Sequence, residues 1–253
     1  MRHVLGCVRR ADADFRLIEE GDRILVGLSG GKDSMALLRA LALYRHFSPH
    51  SYTLEAAHLC LGLAEENLEG MQAFCDENNV PLHLIQSEIG QIVLHERKEK
   101  NPCSLCATMR RGALNNAARD LGCNKLALGH HSDDFIETLL MGIFQEGRMH
   151  TFAPTTYLDR SGITVIRPFV YCTEQQIRHV ATTQNFPILK SPCPLDGYTK
   201  RQYYKELLDR LQMELPDARK MLLLALSNTK QYRLWDEGSI VRKEDFEKSS
   251  ENE

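Results

Sequence analysis

The stretch SGGKDS, Ser29 to Ser34, places two glycines, a lysine and an aspartate between an apolar run and a helical pattern. Glycines that follow a strand allow the backbone to take positive φ angles and to turn its N–H groups toward an anion. A helix that begins near Ser34 directs the positive end of its dipole to the same place. These residue types in this order therefore predict a phosphate-binding loop.

The spacing excludes two common phosphate loops. A Walker A loop needs G-x-x-x-x-G-K-[ST], but here Gly27 and Gly31 are only four residues apart. Asp33 follows Lys32, so the hydroxyl that a Walker A loop offers to magnesium is not at that position. The dinucleotide fingerprint G-x-G-x-x-G is also missing from this stretch. The alternative interpretation is a glycine-rich turn between a strand and a helix that binds no ligand.

A second polar cluster begins at Gly129 in the string GHHSDDFIET, which follows the apolar run KLAL. His130, Asp133, Asp134 and Glu137 all fall where a strand ends and an amphipathic helix begins. Ligands bind at the carboxyl ends of strands in open α/β sheets, so these residues are candidates for the same site. Helix capping is the alternative for Asp134 and Glu137, which have the spacing of a capping box.

Three cysteines form the third candidate group. Cys103 and Cys106 make a C-x-x-C pair, and Cys193 lies far downstream between Pro192 and Pro194. A C-x-x-C pair alone fits a redox dithiol or half of a zinc site. A third cysteine followed by proline is typical of iron–sulfur loops, and three thiolates leave one iron of a [4Fe–4S] cluster without a protein ligand. A Cys3His zinc site stays open as an alternative.

The composition indicates a soluble intracellular protein with one sizeable core. The chain has 253 residues, is 43% apolar and carries a formal net charge of −3. Its apolar runs are far shorter than the roughly 20 residues of a membrane span, and its first residues do not resemble a signal peptide. We therefore expect a cytoplasmic protein without a membrane partner, whose cysteines stay reduced. Five cysteines are expected to pack in the core: Cys7, Cys60, Cys75, Cys123 and Cys172.

Short apolar runs alternate with helical patterns along the chain, which predicts parallel βαβ units and a doubly wound five-stranded parallel sheet of the α/β class. The predicted strands are 23–28, 53–61, 82–86, 125–128 and 163–166. The predicted helices are 34–46, 64–79, 107–121, 133–146, 173–185, 199–213 and 215–229. The last dozen residues, rich in charge, predict a disordered tail.

The string SGGKDS resembles the PP-loop of the N-type ATP pyrophosphatases, which cleave ATP between the α and β phosphates and adenylate an oxygen of a substrate. GHHSDDFIET resembles the second signature of the same superfamily. By this resemblance the residues that bind ATP or its pyrophosphate are Ser29, Gly30, Gly31, Lys32, Asp33, Ser34, Gly129 and His130. It also implies catalytic roles for Lys32, Asp33, Asp133 and Asp134, with Asp133 or Asp134 helping to bind Mg²⁺ and ATP.

From about Arg9 to Leu211 the chain is similar to the tRNA 2-thiocytidine synthetase family (TtcA). The strings that carry this similarity are IEEGDRILVGLSGGKDS, CSLCATMRRG, LALGHHSDDFIETL, VIRPF and FPILKSPC. The resemblance implies an ATP-dependent, iron–sulfur-dependent enzyme that adenylates C2 of an anticodon-loop cytidine and replaces its oxygen with sulfur. Its cofactors would be ATP, Mg²⁺ and a [4Fe–4S] cluster bound by Cys103, Cys106 and Cys193. Its partners would be tRNA, a sulfur donor (a cysteine desulfurase or inorganic sulfide) and a second copy of the chain.

The resemblance also implies a division of the chain and two departures from the family pattern. We expect a PP-loop ATP pyrophosphatase domain over residues 1–190 with the cysteine pair in 103–106, a C-terminal helical extension over 191–240 and an acidic tail over 241–253. Asp196 stands where the family usually has a second cysteine after the third cluster ligand. The second strand, AHLCLGL, lacks the aspartate that usually ends it, so a changed substrate or sulfur route is an open alternative.

Contact with RNA is predicted from basic residues near these motifs. Arg110 and Arg111 follow the cysteine pair, and Lys200 and Arg201 lie among tyrosines in YTKRQYYKELLDR. Such side chains suit phosphates and unstacked bases, although solvated basic helix faces are common. Other functions stay open: another adenylating enzyme that thiolates uridine, forms lysidine or acts on a small molecule, or a nucleotide- and metal-binding regulatory module without catalysis.

Overall fold

A six-stranded sheet forms the centre of the protein, with the strand order β3-β2-β1-β4-β6-β5. The computed structural model describes residues 1–64, 66–97, 102–190, 192–194 and 200–228. The strands are β1 Asp22–Leu28, β2 Tyr52–Cys60, β3 Leu82–Gln86, β4 Lys125–Ala127, β5 Thr155–Leu158 and β6 Ile163–Ile166. The α/β class is thereby confirmed.

Nine α-helical segments lie in the described part of the chain. They are α1 Arg2–Phe15, α2 Lys32–Tyr44, α3 Glu69–Glu77, α4 Ile89–Gln91, α5 Pro102–Asp120, α6 Ser132–Met141, α7 Glu174–Thr183, α8 Lys200–Glu214 and α9 Ala218–Ser227. Two π-helical turns, Ile92–Glu96 and Gly142–Glu146, extend α4 and α6. No helix among the residues described up to 228 is both long enough and apolar enough to span a membrane.

The predicted count of five strands is wrong by one. Five strands are parallel, as expected, but β5 adds an antiparallel edge through pairs such as Tyr157↔Thr164. The sequence of β5 is TTYL, and its side chains alternate between exposed and half-buried. An edge strand of this kind carries no buried apolar run, so the pattern that identified the other strands was not there.

Helices cover both faces of the sheet. Successive residues of β1 point to opposite sides, and Ile24 and Val26 pack in the larger apolar cluster with α1, α2 and α7. Leu25 points the other way and packs with Ala118 of α5. This two-sided burial explains why β1 reads as a continuous apolar run instead of an alternating one.

The C-terminal helices α8 and α9 pack on α6. Tyr204 and Leu208 of α8 are buried against Ile136 and Leu140 of α6, so the helices predicted near 199–213 and 215–229 are confirmed in their described parts. The proposed domain boundaries stay predictions. The tail predicted for 241–253 and the departure at Asp196 lie outside the described residues.

The sheet order creates a crevice for a ligand between two strands. The chain runs from β1 to β2 and β3 on one side, and then returns to place β4 on the other side of β1. Ligands in open α/β sheets bind at such a switch point, outside the carboxyl ends of the strands. The loop after β1 and the turn after β4 therefore meet at the expected position.

Candidate active site

The phosphate loop connects β1 to α2, and its first glycine, Gly30, is required by geometry. Gly30 has a φ of +78°, and a Cβ atom built there would lie 2.8 Å from Leu189. The Gly30 carbonyl accepts a hydrogen bond of 2.9 Å from the Leu189 N–H. Any side chain at Gly30 would thus meet both backbone strain and a steric clash.

Two serine hydroxyls hold the loop in shape. Ser34 Oγ accepts a hydrogen bond from the Ser29 N–H at 3.1 Å and donates one to the Gly31 carbonyl at 3.0 Å. The two hydroxyl oxygens lie 3.2 Å apart. The two serines therefore hold the loop backbone in place. The helix α2 begins directly after it at Lys32, and the N-terminus of a helix is suited to bind an anion.

Lys32 is the cation of the loop. Its Nζ lies 3.0 Å from Asp33 Oδ2 and 3.1 Å from Glu174 Oε1. Burial alone would lower the pKa of Lys32, but the two carboxylates outweigh it and the pKa is raised. Lys32 consequently stays charged, as binding to a phosphate requires.

Glu174, at the start of α7, is a site residue that the sequence analysis missed. Its Oε1 accepts hydrogen bonds from Lys205 at 2.7 Å and from Arg178 at 3.0 Å, besides the contact with Lys32. Burial alone would raise the pKa of Glu174, but Lys205 and Lys32 bring it down to about 2. The signal in the sequence was a Thr173–Gln176 capping box, which marks the helix but not this contact.

The turn after β4 lies directly against the phosphate loop. A Cβ atom on Gly129 would lie 3.0 Å from the Asp33 carbonyl oxygen, so a side chain there would press on the backbone of the phosphate loop. His131 Nε2 lies 3.8 Å from Asp33 Oδ1, and that oxygen is buried without a hydrogen-bond partner among the described residues. The two sequence motifs therefore meet, and Asp33 presents an unpaired carboxylate oxygen at their junction.

Asp133 and Asp134 are both bound by arginines of the C-terminal helices. Arg219 of α9 donates to Asp133 Oδ1 at 2.8 Å, and Arg201 of α8 donates to Asp134 Oδ1 at 2.7 Å. Asp134 Oδ2 also accepts from the His131 N–H at 3.0 Å. Helix capping thus accounts for part of the role of Asp134. Neither carboxylate is as available to a metal ion as Asp33.

Glu137, one turn further along α6, does not cap the helix. It is buried, and its Oε2 lies 3.5 Å from Arg201 Nη1. Burial, reinforced by the charge of Asp134, raises the pKa of Glu137 to about 7. The helix α6 therefore carries, one turn beyond the two aspartates, a carboxyl group whose pKa lies near neutral pH.

His130 packs on an aromatic ring at the edge of the site. Its ring centroid lies 4.8 Å from that of Phe152, and Arg167 covers the same phenylalanine at 4.9 Å. Burial lowers the pKa of His130 to about 4, so its imidazole is neutral at physiological pH. A neutral imidazole beside the phosphate loop can take part in hydrogen bonding but adds no positive charge.

The three candidate cluster cysteines lie near one another. Cys103 and Cys106 are on α5, and the thiol of Cys106 is close enough to Cys193 for their charges to interact. Burial raises the pKa of Cys106, Arg110 opposes this, and the Cys193 and Cys103 thiols add to the increase.

The remaining cysteines follow the expectation only in part. Cys75, Cys123 and Cys172 are buried, as predicted, whereas Cys7 and Cys60 are half-buried. A hydrogen bond with Cys172 lowers the pKa of Cys7 to about 7.

The four predicted RNA-binding residues have different environments. Arg111 is exposed on α5, and Arg110 is half-buried beside Cys106. Lys200 is exposed with its Nζ 3.4 Å from Gln145, whereas Arg201 is engaged by Asp134. Arg111 and Lys200 are consequently the more accessible of the four to an RNA phosphate.

These features define a PP-loop nucleotide-binding protein. The family model described as a PP-loop domain matches residues 8–204. The thiolase NcsA of Methanococcus maripaludis, which acts on U34 of tRNA and was solved with its [4Fe–4S] cluster, has a similar fold with a TM-score of 0.73. The match is 21% identical and covers 93% of this chain and 80% of that chain.

Curated relatives narrow the family further. The tRNA-cytidine(32) 2-sulfurtransferase of Pelobacter propionicus is 40% identical over 94% of this chain and 88% of its own length. The protein of the same name from Geobacter metallireducens is 40% identical over 93% of both chains. The chain therefore belongs to the tRNA-cytidine(32) 2-sulfurtransferase family, as the resemblance to the 2-thiocytidine synthetases predicted.

Proposed function

We propose that this protein is an ATP-dependent tRNA thiolase that converts cytidine 32 of the anticodon loop, the nucleotide named for its relatives, to 2-thiocytidine. The observation that carries the proposal is the grouping of Cys103, Cys106 and Cys193 in a chain that also has a PP-loop. An enzyme that only adenylates its substrate has no need of three such thiols.

The phosphate loop binds the part of ATP that leaves. The N-terminus of α2 and the Lys32 ammonium provide positive charge for the β and γ phosphates. When O2 of the cytidine attacks the α phosphate, negative charge develops on the departing pyrophosphate, and these groups stabilise it. The serine network and Gly30 keep the loop in the shape that this requires.

Magnesium is expected to bind beside Asp33. The unpaired Oδ1 of Asp33 is a hard oxygen ligand at the junction of both motifs, and Mg²⁺ is commonly bound by one or two carboxylates together with substrate phosphates. Asp133 and Asp134 are close by but are neutralised by Arg219 and Arg201. We assign them first to the positioning of α8 and α9, with metal binding dependent on release of these arginines.

Adenylation prepares the base for exchange of oxygen for sulfur. Once AMP is attached to O2, a sulfur nucleophile adds to C2, the C2–O bond breaks and AMP leaves with the oxygen. Cys103, Cys106 and Cys193 would hold a [4Fe–4S] cluster, which supplies the sulfur chemistry because one of its irons lacks a protein ligand. Arg110 lies near Cys106, and its charge favours the thiolate form of that residue.

The proposal includes partners that complete the reaction. The enzyme needs a sulfur donor, either a cysteine desulfurase or inorganic sulfide, and we expect it to act in the cytoplasm as a homodimer. Arg111 and Lys200 are assigned to phosphate contacts with tRNA because both are exposed.

The test is a reaction under anaerobic conditions with reconstituted protein, ATP, Mg²⁺, sulfide and a tRNA transcript. Digested RNA is analysed for 2-thiocytidine by mass spectrometry, and a transcript with uridine at position 32 is the substrate control. We expect product with the wild type, a loss of at least 100-fold in Lys32→Ala and a loss of product in Cys193→Ser. The half-buried Cys7 provides a matched control, because Cys7→Ser should retain activity. Product formed equally by Cys193→Ser, or 2-thiouridine formed from the control transcript, would contradict the proposal.

A further inference from the structure

A second group of side chains of metal-binding type lies at the end of β2 and contains none of the three cysteines of the proposed cluster. His58 and Cys60 are two residues apart on one face of β2, and Glu66 reaches them from the segment that follows the strand. One ligand atom from each residue lies within 4.8 Å of the other two.

The hydrogen bonding of His58 leaves its second nitrogen facing a carboxylate. His58 is 2% exposed, and its Nδ1 lies 2.9 Å from the Leu28 carbonyl oxygen. A carbonyl oxygen can only accept a hydrogen bond, so Nδ1 must carry the proton. In the neutral ring Nε2 then has a lone pair and acts as an acceptor. Nε2 lies 3.1 Å from Glu66 Oε2, so two acceptors meet unless a proton or a metal ion joins them.

This arrangement of His58 is typical of a metal ligand. Histidines that bind metals usually donate their other ring N–H to a backbone carbonyl or a carboxylate, which fixes the tautomer and the ring orientation. Leu28 provides that carbonyl, and it directly precedes Ser29 of the phosphate loop. A metal at His58 would thus be tied to the start of the phosphate loop.

Cys60 and Glu66 complete a mixed ligand set. Cys60 and the side chain of Glu66 are half-buried, so an ion can reach them from solvent. The Cys60 Sγ and a carboxylate oxygen of Glu66 lie within 4.8 Å of each other. Nitrogen, thiolate and carboxylate ligands together suit zinc, whereas magnesium and calcium prefer oxygen alone.

We propose that His58, Cys60 and Glu66 bind a zinc-class divalent cation with three protein ligands and one open position. On binding, the Cys60 thiol releases its proton to solvent, while His58 Nε2 and Glu66 bind as neutral imidazole and carboxylate. The ion links β2 and the segment containing Glu66 to the residue before the phosphate loop. The three proposed ligands are different residues from the cluster cysteines Cys103, Cys106 and Cys193.

The experiment uses Co²⁺ as the probe, in the full chain with Cys103, Cys106 and Cys193 all changed to serine. This background removes the competing thiols, and its melting temperature is compared with that of the wild type to confirm folding. We expect one equivalent of Co²⁺ to bind with a thiolate-to-cobalt charge-transfer band, and Zn²⁺ to displace it. Cys60→Ser should abolish the band, and Glu66→Gln should weaken binding at least tenfold.

A second His–Glu pair, between β2 and β3, offers a matched control. His83 Nε2 lies 2.9 Å from Glu55 Oε2, but these residues are not part of a three-ligand group in the described chain. Glu55→Gln should therefore leave Co²⁺ affinity unchanged. A band that persists in Cys60→Ser, or a folded background protein that binds no stoichiometric Co²⁺, would overturn the proposal and leave a hydrogen-bonded His58–Glu66 pair as the explanation.

Discussion

Lys32 of the phosphate loop and Lys205 of α8 bind the same oxygen atom, Oε1 of Glu174, at 3.1 Å and 2.7 Å. The C-terminal helices are therefore connected electrostatically to the nucleotide site through a single carboxylate. The arginines on Asp133 and Asp134 reinforce this connection. Movement of α8 would change the charge around Lys32 directly.

The shared carboxylate predicts acid sensitivity. The pKa of Glu174 is about 2 against an ordinary value of 4.5. A lowered pKa stabilises the folded state above pH 4.5, and this contribution is lost as the pH falls toward 2. It amounts to at most about 3 kcal/mol. We expect Glu174→Gln to flatten this part of the stability curve, as measured by urea unfolding across that pH range.

The exposed Glu206 of α8 supplies the control for this measurement. Glu206→Gln should lose stability in acid as the wild type does. Curves for Glu174→Gln and wild type that stay parallel from pH 4.5 to 2 would contradict the assignment.

Glu137 predicts the opposite pH dependence. Its folded-state pKa is raised to about 7 from 4.5, mainly by burial. The folded protein then holds a proton that the unfolded chain releases, so stability falls as the pH rises from about 4.5 to 7. Glu137→Gln should remove this loss, which is on the order of 3 kcal/mol. Thermal unfolding at several pH values provides the measurement. An unchanged pH slope in the variant would rule out Glu137 as the titrating group.

The exposed Arg111 predicts a specific effect on tRNA binding. If its guanidinium contacts a phosphate, Arg111→Ala should weaken binding and reduce the slope of log K against log salt by about 1. Arg119, near the other end of α5, pairs with Asp120 at 3.4 Å and is a suitable control. Arg119→Ala should leave the slope unchanged. Equal slopes for Arg111→Ala and wild type would place the RNA elsewhere.

Local patterns predicted most of the fold. Four of the five parallel strands contain buried apolar residues, and β3 is the half-buried exception. The helix α2 begins directly after Gly31 of the phosphate loop. The N-terminal helix α1 was not predicted, although Val4, Val8 and Ala11 are buried at helical spacing. The helical spacing of these apolar residues is present in the sequence, but the charged residues around them make the pattern less distinct.

The motifs predicted the position of the site but not the ion pairs that its charged residues form. SGGKDS and GHHSDDFIET meet because β1 and β4 are neighbours at the switch point. The partners of their charged groups come from distant parts of the chain: Glu174 binds Lys32, and Arg219 binds Asp133. Such pairs depend on how α7 and α9 pack against the site, and the residue spacing within a single helix or strand does not predict that packing.

The most direct test of the central claim follows the oxygen atom that leaves the base. A tRNA transcript labelled with heavy oxygen at O2 of cytidine 32 is incubated under anaerobic conditions with enzyme, ATP, Mg²⁺ and sulfide. Adenylation of O2 predicts one AMP for each 2-thiocytidine formed, with the label in the AMP phosphate. Thiolation that gives unlabelled AMP, or no AMP at all, would contradict the account.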